Sequence, residues 1–352
     1  MESATGRLTY AAAQTARVAF YGAHYLAARV IARNAFSNIE KPPHAIPSLA
    51  TMLKSMRALL AQDWRNVEAG LYPMPLDLID EMRRATASLR YLSDVPRVAE
   101  RQKRRGHSDV GMKGRGLPRY FRQNFHFQTD GYLSDESAKL YDFQVEALFG
   151  GTADAMRRRA YVPLAEYLKT RAVSRDVLLD VGCGTGRFLK FVKSVQPALK
   201  TVALDLSEPY LERARTALKR ERGVRFVAAP GEKMPLADAS VDMAVSIYLF
   251  HELPPKIRAG VAREIGRVLK PGAIFVLADS IQYGDVPDFD GLIDIFPTLL
   301  HEPYYAGYAK SNLDALFAKT RMVREATDIA YMTKVATFRK ERAGSSRRRR
   351  AS

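Results

Sequence analysis

Residues Leu178–Gly186 read LLDVGCGTG. An apolar run ends in Asp180, and glycines follow at alternating positions, Gly182, Gly184 and Gly186. Glycines so placed mean that the backbone turns tightly and lets something approach it closely. The stretch opens a segment of alternating texture. Apolar runs fall at 177–181, 201–206, 224–228, 241–247 and 273–279, with amphipathic helical patterns at 187–195, 208–220 and 256–269 between them. Strands alternating with helices predict βαβ units and a parallel sheet. Nearer the end, RMVREATDIAYMTKVATFRK holds two strand-like runs with a short turn near Met332–Thr333, which predicts a hairpin. The glycine turn then falls at the carboxyl end of the first strand, where open α/β sheets bind ligands.

Before this segment the texture is helical. Ala11–Phe36 is Ala-rich, is interrupted by Arg17, His24, Arg29 and Arg33, and has no acid between Glu2 and Glu40. No apolar run reaches the length of about 18 residues that a transmembrane helix needs, so none is expected. The pattern predicts a helix that docks on the protein or lies on a membrane; in a eukaryote an organelle transit segment is the alternative. Helical patterns also span Pro47–Gln62 and Leu76–Leu92, separated by the Pro-containing EKPPHAIP and GLYPMP. The Gly-rich basic stretch RQKRRGHSDVGMKGRGLPRYF reads as a loop or linker. A helix over Glu136–Phe149 follows NFHFQTDGYLSD, with Ser134 and Asp135 as its candidate caps.

The formal net charge is +17, unevenly placed. Residues 97–122 carry nine Lys/Arg against two acids and 339–352 seven against one, so the excess belongs to two local segments and not to the fold. ERAGSSRRRRAS has no apolar side chain larger than Ala and is expected to be disordered. An anionic membrane surface and nucleic acid are the partners such segments attract. Cys183 is the single cysteine, which excludes an intramolecular disulfide and a Cys-rich metal site and points to a reducing, cytoplasm-like compartment.

A dinucleotide fold places G-x-G-x-x-G at this turn, with an acid about 20 residues on. Here the spacing is G-x-G-x-G, Asp180 stands two residues before the first glycine, and Asp205 ends the second strand beside Leu206. An acid at that strand end suits any ribose. A pyrophosphate wants amide donors and a helix dipole with no carboxylate alongside. A ligand bearing an ammonium and a sulfonium wants the carboxylate, so Asp180 favours S-adenosylmethionine.

At these residues LLDVGCGTGRFL resembles motif I of the class I S-adenosylmethionine-dependent methyltransferases. VALDLSEPYLERAR is similar to their ribose-binding second motif, RFVAAPGEKMPLADASVDMAVS to their third and fourth strands, and REIGRVLKPGAIFVLAD to the segment before and through strand five. In texture the nearest subgroup is the UbiE-like, type 11 group, and the likeness covers roughly residues 161–340. It implies an α/β Rossmann-like fold: a seven-stranded sheet with an antiparallel last strand, preceded here by a helical N-terminal region. By position, Gly182, Gly184 and Gly186 would pass beneath the methionyl part of S-adenosylmethionine. Asp180 would hold its ammonium, and Asp205 with Leu206 its ribose. Gly231 and Glu232 would meet adenine, although Pro230 replaces the family's Asp or Asn before that pair. Tyr132 and Tyr141, in helices ahead of motif I, would close over the cofactor.

This divides the chain into a helical region with a basic linker (1–125), cofactor-capping helices (126–160), the methyltransferase domain (161–340, with an acceptor-side insertion at 287–310) and a basic tail (341–352). Methyl transfer needs a base only if the acceptor must lose a proton. YLFHELPP puts His251 and Glu252 at the carboxyl edge of the fourth strand, and His titrates where such a base must. His301–Glu302, in the aromatic stretch after strand five, is a second such pair, but nothing in the sequence fixes its distance from the first and no metal is expected. The NPPY-type motif of amino-directed nucleic-acid methylation is absent after strand four, and the one cysteine lies in the glycine loop, away from any role as a pyrimidine C5 nucleophile. The expected acceptor is a small aromatic, quinone-like or lipid-like molecule, methylated at carbon or oxygen. The alternatives are RNA or protein methylation through the basic segment 97–122, with Tyr120, Phe121, Phe125 and Phe127 as a stacking platform, and a non-catalytic S-adenosylmethionine-binding assembly role. The expected location is cytoplasmic, with membrane association.

Overall fold

The structure, a computed structural model, describes residues 2–33, 41–76, 85–104 and 116–342. The end of the Ala11–Phe36 helix, the first part of the Leu76–Leu92 pattern, most of the basic loop and the expected disordered tail lie outside the described residues. The chain forms two compact units, Met1–Arg158 with Val286–Pro303, and Arg159–Asp285 with Tyr304–Ser352.

The first unit is helical: α1 (Glu2–Ile31), α2 (Leu49–Glu68), α3 (Ala85–Arg104), α4 (Asp135–Leu148), most of α5 (Ala153–Arg159) and, from the later segment, α10 (Asp290–Leu300). Ser48 starts α2 by accepting the Thr51 N–H at 3.1 Å, and Ser134 starts α4 by accepting that of Ser137 at 3.1 Å. Helix α3 runs to Arg104, four residues into the stretch expected to be a linker, because Arg, Gln and Lys are strong helix formers. Tyr21, Phe143 and Ala147 are buried together, with Phe20 and Tyr91 packed against them, so α1, α3 and α4 share one core. The expected boundary at 125/126 therefore falls within a compact unit, and the insertion expected at 287–310 is divided at Pro303/Tyr304. Beneath the helices Asp63 accepts from Tyr10 Oη at 2.7 Å, Tyr72 Oη at 2.8 Å and Arg158 through both Nε and Nη2 at 2.9 and 2.7 Å. A buried carboxylate with that many donors is paired, as burial requires.

The second unit holds one seven-stranded sheet in the order β3-β2-β1-β4-β5-β7-β6. Its strands are β1 (Val177–Val181), β2 (Lys200–Asp205), β3 (Val224–Ala228), β4 (Val241–Ile247), β5 (Leu269–Ser280), β6 (Met322–Ala330) and β7 (Thr333–Lys340). β1 to β5 are parallel, β7 runs antiparallel to β5, and β6 and β7 form the hairpin. Helices α6 (Tyr161–Leu168), α7 (Arg187–Val195), α8 (Glu208–Ala217), α9 (Pro255–Val268), α11 (Tyr305–Ala309) and α12 (Leu313–Ala318) complete the unit. β1, β4 and β5 are apolar on both faces, and Leu178, Leu179, Met243, Val245, Phe275 and Leu277 are buried. Strand order reverses between β1 and β4, so their carboxyl ends open the crevice in which such sheets bind ligands.

Candidate active site

The glycine loop leaves β1 and turns back on β2: Gly182 and Cys183 both donate their N–H to Leu204 O, at 2.8 and 3.0 Å. All three glycines are left-handed, with φ of 76°, 53° and 75° at Gly182, Gly184 and Gly186. Their surroundings differ. A Cβ at Gly182 would meet the Leu249 side chain at 3.1 Å and one at Gly186 would meet Ala214 Cβ at 3.0 Å, whereas one at Gly184 would meet nothing within 4 Å. Gly182 and Gly186 thus let the protein pack on itself, while Gly184 lies under open space that a ligand can enter. Gly186 is also the N-cap of α7.

Asp180 is buried at the end of β1, and burial with the neighbouring charge of Asp205 pushes its carboxyl up to about 8. Asp205 is half-buried and accepts from Ser207 N–H through Oδ1 and from Gly184 N–H through Oδ2, each at 2.8 Å. Burial raises its carboxyl too, and those N–H groups, with that of Leu206, work against the rise. Two acids in a desolvated crevice, with an uncovered glycine between them, suit a ligand that brings a cation and vicinal hydroxyls. Ammonium and ribose fit these residues; a pyrophosphate does not. Gly231 keeps an ordinary φ, and its constraint is contact: a Cβ there would meet Val261 at 3.2 Å and Val181 at 3.4 Å. Glu232 is half-buried, with its Cβ so close to Gly260 that a Cβ on that glycine would lie 2.8 Å away. The β3–β4 connection that carries this pair is clamped by Arg267, which donates to Leu236 O, Met234 O and Glu264.

β4 ends at Ile247, Tyr248 follows at a φ of 55°, and the chain enters a short 3₁₀ turn, Phe250–Glu252. His251 and Glu252 are buried in it. His251 Nδ1 lies 2.6 Å from Oδ1 of Asp279, a fully buried residue of β5 that also accepts Phe250 N–H at 2.8 Å. A carboxylate only accepts, so Nδ1 carries the proton, and in the neutral form of the ring Nε2 is the acceptor. The ring also meets Tyr305 and Tyr308 edge-on, with centroids 5.8 and 6.2 Å away. Arg258 fixes the turn by donating to Phe250 O and Leu253 O, both at 2.9 Å. Asp279, Tyr305, Tyr308 and Arg258 are absent from the sequence-based candidates. The AD at the end of the β5 motif was the only available signal for Asp279.

Other candidates belong to the first unit. Tyr132 is buried, stacks on Phe125 with centroids 5.4 Å apart and meets Tyr141 edge-on at 6.1 Å. His301 packs on Phe127 at 5.4 Å, and His126 Nε2 pairs with the buried Glu302. Phe125 and Phe127 are buried, so half of the expected stacking platform cannot meet a base. Cys183 is buried, which pushes its thiol well above the ordinary range and away from nucleophilic use.

Strand order, the glycine loop and the acid on β2 together define a class I methyltransferase architecture. Residues 179–277 match the family described as a methyltransferase domain. The Caenorhabditis elegans sterol 4-C-methyltransferase is 30% identical over 212 residues, which cover 58% of this chain and 57% of that protein. The malonyl-[acyl-carrier protein] O-methyltransferase of Dechloromonas aromatica is 36% identical over 126 residues, 36% of this chain and 44% of that one. The solved 1,6-didemethyltoxoflavin-N1-methyltransferase of Burkholderia thailandensis aligns over 58% of this chain and 88% of its own, at 21% identity and a TM-score of 0.40. The chain spans about half the length of the curated relatives it matches. It carries a class I S-adenosylmethionine-dependent methyltransferase domain, whose cofactor is S-adenosyl-L-methionine.

Proposed function

We propose that the protein methylates a small acceptor with a planar or greasy body, at carbon or oxygen, and that His251 removes the acceptor's proton. The observation that carries this reading is the His251–Asp279 pair at the carboxyl ends of β4 and β5. S-adenosylmethionine, when bound, supplies an electrophilic methyl group that leaves sulfur as the acceptor bonds to it. Asp180 would hold the ammonium of that ligand, Gly184 would leave room for it, and Asp205 and Leu206 would take the ribose. Gly231 and Glu232 would border adenine. Asp279 holds His251 in the tautomer whose Nε2 accepts a proton, and it stabilises the imidazolium that forms. That chemistry suits a phenol, a quinol or an activated carbon acid. A relative that methylates a sterol supports a greasy acceptor. Glu252, in the same turn, is the second candidate base.

The test is turnover of labelled S-adenosylmethionine with a panel of quinols, phenols and sterols. His251→Gln should lose roughly 10²- to 10⁴-fold in kcat while S-adenosylhomocysteine binds as before. Asp279→Asn should lose turnover as well, because an amide that accepts from Phe250 N–H presents its NH₂ to Nδ1 and forces the proton onto Nε2. Normal turnover by both variants would make the pair structural.

A further inference from the structure

Helix α1 buries one face, through Tyr10, Gln14, Arg17 and Tyr21. A neighbouring stripe of the same helix, Arg7, Ala11, Thr15, Val18 and Ala19, lines a groove of about 710 Å³, which Tyr10 and Gln14 of the buried face also border. α2 supplies the other wall, with Leu53, Met56, Leu60 and Trp64. At helical spacing the stripe continues beyond the groove through Leu26 and Val30, which are 65% and 70% exposed. Leu8 and Leu49, at 72% and 70%, are nearly as open to solvent. Isolated exposed leucines are ordinary, but Ala11, Val18, Ala19, Leu26 and Val30 recur at helical spacing along one side of a 30-residue helix.

Its charge has one sign. From Ala4 to Arg33 there is no acid, Arg7 and Arg29 are exposed on the helix, and Arg33 is exposed just beyond it. Arg57 and Arg65 of α2 also line the groove, and Glu68 is the one acid among the described lining residues. Apolar side chains flanked by cations match the layering of a bilayer surface, where acyl chains lie beneath anionic headgroups. Nucleic acid would use the arginines and leave the leucines in water. Among the described residues no helix is long and apolar enough to cross a membrane, so α1 can lie in an interface but not span it.

We propose that α1 and α2 form a docking face for an anionic lipid bilayer, with α1 lying along the headgroup plane. This goes beyond the acceptor reading and stands without it. A protein docked in this way would draw a greasy acceptor from the bilayer and not from solution.

Trp64 is the only tryptophan of the chain and it lines the groove, so its emission reports docking without a label. The full chain is titrated with phosphatidylcholine vesicles, with and without phosphatidylglycerol. Emission should shift to the blue and the protein should sediment with the anionic vesicles only, less so as salt is raised. Each exposed aliphatic residue removed from the face should weaken partition on the order of tenfold, and each arginine roughly fivefold. Leu26→Asp, Val30→Asp and Arg33→Gln measure this, and as exposed positions they leave the fold intact. Partition unchanged by these substitutions, equal on neutral vesicles, or reproduced by poly(U) overturns the proposal. S-adenosylhomocysteine calorimetry on the same variants separates the two readings. A parent that fails to bind it removes methyl transfer and leaves the docking result standing.

Discussion

Asp180 is the residue whose physics is least ordinary. Its carboxyl, pushed up to about 8 by burial and by Asp205, is protonated in the free protein at neutral pH. The unfolded chain releases that proton near pH 4, so this group lowers the stability of the free protein as pH rises from about 4 to about 8. A cationic ligand that holds the ionised form removes the penalty. The increase in Tm caused by S-adenosylhomocysteine should therefore grow between about pH 6 and pH 8 and level off above. Differential scanning fluorimetry in overlapping buffers measures it, and Asp180→Asn should flatten the dependence and weaken binding. A parent with a flat profile would place the ammonium elsewhere. Asp205→Ala, which takes the acceptor from Gly184 N–H as well as from the ribose, should weaken S-adenosylhomocysteine by about 10- to 100-fold in calorimetry.

At the scale of elements, the glycine loop separates two kinds of constraint. Gly186→Ala combines a left-handed φ with a contact at 3.0 Å against Ala214, and should cost about 1–3 kcal/mol of stability measured by denaturant unfolding. Gly184→Ala has the φ strain but no contact, so it should cost about 1–2 kcal/mol and mainly obstruct the cofactor. If both variants bind S-adenosylhomocysteine equally, the open space over Gly184 is not where the ligand passes. The same contrast shows what was legible beforehand. β1 and β4 fall where their apolar runs stood, because strands buried on both faces announce themselves without reference to partners, and β3 does so although it is mostly open to solvent. β5 starts at Leu269, ahead of the Pro271–Gly272 break that predicted Ala273, because Leu269 pairs with Val241 across a register shift. Asp279 went unread for a similar reason. It meets His251 across 28 residues only through the β4–β5 register, which no local pattern encodes. Phe125 and Phe127 looked like surface aromatics beside basic residues, and only tertiary packing reveals them as core.

Taken as a whole, the molecule keeps its apolar helical face and its cofactor loop in different compact units. Asp205→Ala protein, though impaired for cofactor, should then partition onto anionic vesicles like the parent; a parallel loss of both would mean that the substitution disturbs more than the loop. The first unit is also discontinuous. α10 returns to it after five strands of the sheet have been traversed, and it does so intimately. Asp294 accepts from both the backbone N–H and Nδ1 of His44, at 3.0 and 2.9 Å, and Gln102 donates to Leu299 O. A Cβ on Gly291 would lie 2.2 Å from Ala45 O. His44 and Asp294 are 250 positions apart. At 5–20 residues per second, a ribosome delivers the second about 12–50 s after the first. For that interval α1 to α4 exist without the segment that returns to their unit, while β1 to β5 emerge. A nascent chain of this protein thus holds its amino-terminal helices incomplete until α10 is made, and β6 and β7 of the second unit follow later still.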